Sequence, residues 1–325
     1  MRAVVCRAFG PIDGLELGEM PAPALPEDGV RIRVRAAGIN FADILVVAGT
    51  YQEKPALPFV PGLELAGEIV EARAKATRFR IGQRVMATVG TGAFAEEAVA
   101  RENEVFPLPD GMDFVTGAAF PVAYGTAHLG LTHRAALKAG EILMVHGAAG
   151  GVGLAAVEIG KAVGATVIAT ASSAEKLALA RAHGADHTID YTKEDVRARL
   201  RDIAPRGVDV ALDPVGGDAF TASLRTIGWE GRIIIVGFAG GTVPQIPANH
   251  LLVKNASAMG FYWGAYRARE PERVRASMAE AASWAVAGKL RPHVSATLKL
   301  ADAAAGLRLL ADRKATGKVI LTVDG

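Results

Sequence analysis

The stretch ILMVHGAAGGVGLAAVEIG, Ile142 to Gly160, runs from an apolar strand pattern through a glycine-rich turn into a helical pattern. It constrains the fold more than any other feature of the chain. The pattern then repeats: LAAVEIGKAVG reads as a helix, TVIATA as a strand, EKLALARAHG as a helix and DHTIDY as a strand, with VDVALD, RIIIVGF and SAMGFYW as further strands. Strands alternating with helices of this length predict a parallel sheet with crossover helices. The turn itself aims backbone N–H groups and the positive end of a helix dipole at one point, where phosphate binds.

The six fingerprint positions are Ala148, Ala149, Gly150, Gly151, Val152 and Gly153, so Ala148 stands where the dinucleotide pattern has its first glycine, and Gly147 lies just upstream. Gly150 lets the backbone approach a pyrophosphate, and Gly153 lets the helix pack close to its strand. The amides around Ala149, Gly150, Gly151 and Val152 are the expected pyrophosphate cradle.

The coenzyme depends on the end of the next strand, where an Asp or Glu would bond a ribose 2′-hydroxyl. That place is Ala171, with Ser172, Ser173 and Lys176 following. No carboxylate repels a 2′-phosphate, and the serines and lysine offer donors, so NADP(H) is expected over NAD(H). Ser172 and Glu175 also read as a capping box with Lys176 a first-turn residue, and the two readings are compatible. Tyr191, after the third strand, is placed either against the adenosine end or on the open surface.

Before this region, VRIRVRAAG alternates Val30, Ile32 and Val34 with Arg31, Arg33 and Arg35, the period of a half-buried strand. LAGEIVEA, GQRVMAT and FAEEAVA continue the theme, so residues 1–122 read as a mostly antiparallel β domain. Composition changes again after Trp263, and the first domain is expected to resume at 264 and run to 325, leaving 123–263 as the nucleotide-binding domain. The uncharged stretch Phe114 to His133 is broken by Pro121, Gly117, Gly125 and Gly130, which suits short buried helices rather than a membrane span.

The chain holds 36 Lys+Arg against 34 Asp+Glu, and with this near-neutral charge and no Lys/Arg run interleaved with aromatics, no nucleic-acid partner is expected. A single cysteine, Cys6, excludes a disulfide framework, and with no export signal in MRAVVCRAFG a cytoplasmic setting is expected.

GINFAD (Gly38 to Asp43), VPGLELAGEIV, AAGGVG, HGADHTIDY, DPVGG and ATGKVIL together resemble the medium-chain dehydrogenase/reductases, and within them the zinc-independent quinone oxidoreductase, or zeta-crystallin-like, branch. The resemblance covers essentially the whole chain. It implies a Rossmann-type doubly wound α/β domain inserted in a mostly β, GroES-like catalytic domain, and a homodimer through edge strands near Ser257 to Phe261. Zinc-dependent members place a cysteine where this chain has Asn40 and a histidine where it has Leu63, so no metal is expected. What remains is hydride transfer from NADPH to a quinone or an activated alkene, an enone or enal. An enoyl-thioester reductase and a non-catalytic NADPH-binding protein with an RNA-binding or structural role are the alternatives.

By the same resemblance, Asn40, Asp43 and Tyr51 line the substrate pocket beside the nicotinamide, with Asn40 and Thr126 touching the cofactor. Val215, Phe238, Phe261 and Trp263 follow strand ends on the ligand side, and Lys318 reaches back to the cofactor. Each has a plainer reading. Asn40 can cap a helix with Asp43 in its first turn, the aromatics can be core, and Lys318 can be a solvated lysine. His146 reads as a packed strand-end histidine. No residue is assigned as general acid.

Overall fold

The computed structural model describes residues 1–323 and divides into two compact units. The first comprises Met1–Val122 and the chain from Pro292 on; the second is Ala123–Arg291.

In the first unit the Gly29–Ile39 strand is central, with Val30, Ile32 and Val34 buried as the period-two reading requires. Its arginines face the other way, Arg31 onto Glu71 and Arg35 onto Glu68. The sheet order is Val294–Lys299, Lys318–Thr322, Gly29–Ile39, Glu64–Ala72, Arg84–Thr88, Val105–Pro107, and Glu97–Arg101 pairs with the central strand. All neighbours are antiparallel except the first two. Register decides what meets inside: Val319 lies opposite Ile39, Ile320 opposite Gly38, and Gly38 opposite Glu64. Lys318, Asn40 and Glu64 are thereby brought to one end of three adjacent strands.

The second unit holds a six-stranded parallel sheet in the order His187–Asp190, Thr166–Ala171, Ile142–Val145, Val208–Asp213, Ile227–Ile235, Ser257–Gly260. Strand order reverses between Ile142–Val145 and Val208–Asp213. Ligands of doubly wound sheets bind outside the carboxyl ends of the strands at such a reversal.

The return to the first unit comes at Pro292 rather than at Gly264. Helices Trp263–Arg269 and Pro271–Val286 pack on the second unit: a Cβ on Gly125 would lie 2.5 Å from the Trp263 ring, Ser277 Oγ is 2.8 Å from His128 Nδ1, and Trp284 meets the His128 ring edge-on. The composition shift after Trp263 marks the end of the sheet, not of the unit. Among the described residues, no helix is long and apolar enough to cross a membrane.

Candidate functional site

The Ile142–Val145 strand ends in a turn whose sharpest residue is Gly147, with φ +57°, a left-handed value that Ala148 would adopt only with strain. The left-handed position therefore sits one residue upstream of the fingerprint's first glycine, which is why alanine is tolerated at 148. Gly150 caps the Gly151–Val163 helix in extended conformation. The first-turn amides of Gly151, Val152 and Gly153 have no carbonyl partners one turn back, so they form a donor cluster at the positive helix end. Ala148 and Ala149 are buried behind it. A Cβ on Gly150 would touch only Gly147 O, at 3.4 Å, leaving a cradle that a side chain would fill.

On the neighbouring strand Ala171 closes Thr166–Ala171, and Ser173, not Ser172, caps the next helix, Ala174–Ala182. Ser173 Oγ accepts from the Lys176 N–H at 3.3 Å. The Ser172–Glu175 capping box is thus corrected: the strand ends at Ala171, Ser172 is a bend, and the cap is Ser173, whose third helical residue is Lys176 rather than an acid that could close a box. Tyr191, 47% exposed, follows Asp190, which lies opposite Ala171 in register. That carboxylate is already committed: Oδ1 accepts from the Thr192 hydroxyl at 2.6 Å and the Thr192 N–H at 3.0 Å, and these bonds hold its pKa below the ordinary value.

Across the strand-order reversal, Asp213 ends the Val208–Asp213 strand wholly buried, and its Oδ1 accepts from the Val215 and Gly216 N–H groups, fixing the turn that carries Val215. His146 is packed as expected, Nδ1 against Thr170 Oγ1 at 2.9 Å and Nε2 against Ser223 Oγ at 2.8 Å. Burial pushes its pKa down, against a smaller opposite effect of Asp213. Phe238 is 39% exposed beyond its strand. Phe261 is buried against Tyr266, and Trp263 against Gly125 and Arg267. Packing accounts for both. Thr126 is buried in the Pro121–His128 helix.

In the first unit, three sequence-predicted residues meet and a fourth does not. Lys318 Nζ donates to Ile39 O (2.8 Å), Asn40 Oδ1 (2.8 Å) and Glu64 Oε1 (2.6 Å), which uses all three ammonium protons. Asn40 Nδ2 donates to Glu64 Oε1 at 2.8 Å, and Glu64 Oε2 accepts from Val122 N–H. Asp43 accepts the Asn40 N–H through Oδ2 at 2.7 Å, securing the start of the Phe41–Val47 helix. Tyr51 instead packs with Cys6, Val46, Val47 and Phe59. Glu64 is the residue that reading the sequence overlooked; its signal was an acidic residue at the buried start of the ELAGEIVEA strand, ahead of Leu65 and Ala66.

Burial pushes the Asp43 carboxyl up to about 7, assisted by Glu64 and opposed by the Asn40 N–H and Lys318. A carboxyl with a raised folded pKa holds its proton more tightly in the native chain. Its contribution to stability is whole below the unfolded value of about 3.9 and is lost as the pH rises through the folded value. In that window Asp43→Asn should remove a decline on the order of 1 kcal/mol per pH unit, read from hydrogen exchange in the Gly29–Ile39 strand. Parallel profiles for both proteins would show a carboxylate charged throughout.

Two family models match: "Alcohol dehydrogenase GroES-like domain" over residues 26–110 and "Zinc-binding dehydrogenase" over residues 151–283. The parallel sheet with its glycine cradle and the antiparallel first unit define a two-domain α/β dehydrogenase architecture. A quinone oxidoreductase-like protein 2 homolog of Nematostella vectensis is 42% identical over 98% of this chain and 88% of that protein. The quinone oxidoreductase of Pseudomonas syringae pv. Tomato superposes with a TM-score of 0.93 at 32% identity, covering 99% of each chain. That of Escherichia coli, solved as a complex with NADPH, gives 0.91 at 27% identity, covering 99% of this chain and 100% of the other. The chain belongs to the quinone oxidoreductase branch of the medium-chain dehydrogenase/reductase superfamily, and is an oxidoreductase.

The zinc in the second model's description does not fit these residues. Asn40 supplies an amide already bonded on both sides, Leu63 supplies hydrocarbon, and Glu64 is paired with an ammonium that a divalent cation would have to displace.

Proposed function

We propose that this chain transfers hydride from NADPH to quinones or to activated alkenes, enones and enals, without a bound metal. The observation that carries the reading is the glycine cradle at the strand-order reversal, followed by a second strand that ends in Ala171 where an NAD-preferring site carries a carboxylate. The NADPH held by the Escherichia coli relative supports it. When bound, the nicotinamide supplies the hydride.

The chain's own residues hold and aim it. First-turn amides of Gly151 and Val152 would hold the pyrophosphate, and Gly150 leaves space for it to approach. Ser172, Ser173 and Lys176 would hold the 2′-phosphate, and the neighbouring Asp190 carboxylate is taken up by Thr192. An amide at Asn40, hydrocarbon at Leu63 and a Glu64 paired with Lys318 do not make a zinc ligand set, so the reading takes an acceptor that is already electrophilic.

The test is NADPH oxidation with 9,10-phenanthrenequinone, 1,4-benzoquinone and small enones. No turnover with any of them overturns the reading, and turnover confined to crotonyl thioester replaces it with a thioester reductase. Lys176→Ala should raise KM for NADPH by about tenfold while changing that for NADH less than twofold, the loss of one charge-assisted phosphate contact. Equal effects would show that Lys176 does not meet the phosphate.

We also place a homodimer on the open edge strand Ser257–Gly260, flanked by Leu252 and Val253 at 75% and 71% exposure. Sedimentation at micromolar concentration should give twice the monomer mass; a monomer there rules the dimer out.

A further inference from the structure

The helix that opens at the glycine cradle, Gly151–Val163, carries a carboxylate in the middle of its apolar run. Glu158 is 2% exposed, and none of the chemistry above uses it. Burying a carboxylate costs several kcal/mol unless donors surround it. Here the donors come from three other segments and none from its own helix. Tyr124 OH donates to Oε2 at 2.7 Å, His183 Nδ1 lies 2.6 Å from Oε1, and the Arg291 N–H is shared between both oxygens at 3.1 and 3.0 Å.

The positions of these donors are what matter. Tyr124 is the second residue of the second unit and Arg291 its last, so one carboxylate grips both places where the chain passes between units. His183 ends the Ala174–Ala182 helix, which Ser173 caps and whose first turn bears Lys176, and the Arg291 guanidinium donates to Ala182 O at 3.0 Å. Glu158 stands seven residues from Gly151, about 10 Å along a rigid helix.

We infer that Glu158 is a positioning residue that transmits occupancy of the dinucleotide cradle to the two crossover segments, Pro121–Gly125 and Lys289–His293. The inference rests on the NADPH reading above. A ligand that orders the first turn restrains the helix as a body, and segments hydrogen-bonded to that body lose freedom with it. A buried hydrophobic residue at 158 would pack the helix but would grip neither crossover.

The experiment is hydrogen exchange of the wild type, Glu158→Gln and Tyr124→Phe, each with and without NADPH, beside NADPH titration and phenanthrenequinone turnover. In the wild type NADPH should slow exchange in the glycine turn and in both crossover segments. In Glu158→Gln the turn should still be protected and NADPH affinity kept within about threefold, while both crossovers lose their response and kcat falls about tenfold. Tyr124→Phe leaves the carboxylate its other donors, so the first crossover alone should stop responding; this holds even if Glu158→Gln does not fold. Crossovers that respond unchanged in either variant, or that ignore NADPH in a wild type that binds it, overturn this inference alone. A wild type that binds no NADPH overturns the proposed function as well.

Discussion

Lys318→Met lowers the stability of the first unit by about 3–5 kcal/mol, because it strands a carboxylate that cannot reach water. Glu64 is 0% exposed and Lys318 5%, and the ammonium is 2.6 Å from Oε1. Removing the ammonium also takes a donor from Asn40 Oδ1 and from Ile39 O. The effect should stay local. All three tryptophans, Trp229, Trp263 and Trp284, lie in the second unit, so their fluorescence reports that unit's unfolding and should change little. The loss should appear as faster exchange of the Gly29–Ile39 amides. Glu64→Gln combined with Lys318→Met should recover most of it, since the double variant buries no charge. A loss below about 1 kcal/mol would put the pair in the class of solvated surface bridges.

That cluster marks where reading the sequence stops. Periodicity exposed the strands of both units because each strand's burial pattern is written along its own residues: Val30, Ile32 and Val34 face inward whatever their partners are. Glu64 and Lys318 are 254 residues apart, and what joins them is the register of three strands, a property no segment carries alone. Glu158 was hidden in the same way, since its partners Tyr124, His183 and Arg291 come from three distant segments. The Ser172 cap failed for a smaller reason: both serines suit the helix start, and the helix begins at Ala174, one bend residue after the strand, which makes Ser173 the cap. Of the residues expected at the nucleotide, the glycine turn was legible in its shape, a strand–turn–helix junction, because that shape is a backbone property. Lys318 was legible as a basic residue but not in what it grips, because a lysine's reach is settled only by its surroundings.

Gly150 and Gly153 should respond to alanine in opposite ways, and the contrast tests the cradle at its base. A Cβ on Gly153 would lie 2.2 Å from Gly147 O and 2.8 Å from Gly147 C, backbone atoms that cannot swing aside. The helix must therefore lift from the turn, and Gly153→Ala should cost roughly 1–3 kcal/mol of stability in the second unit. Because the lifted first turn no longer converges its amides, NADPH affinity should fall with it by about a hundredfold, near 3 kcal/mol. A Cβ on Gly150 would meet nothing closer than 3.4 Å, so Gly150→Ala should leave the tryptophan-monitored transition within about 0.5 kcal/mol of wild type. Its methyl would nevertheless occupy the space between the amides and the pyrophosphate, and NADPH affinity should again fall about a hundredfold. Titration of both variants beside their unfolding curves separates the two roles. If Gly150→Ala binds NADPH as the wild type does, the phosphate does not sit over this turn, and the helix N-terminus is no more than a way to close a strand against its crossover.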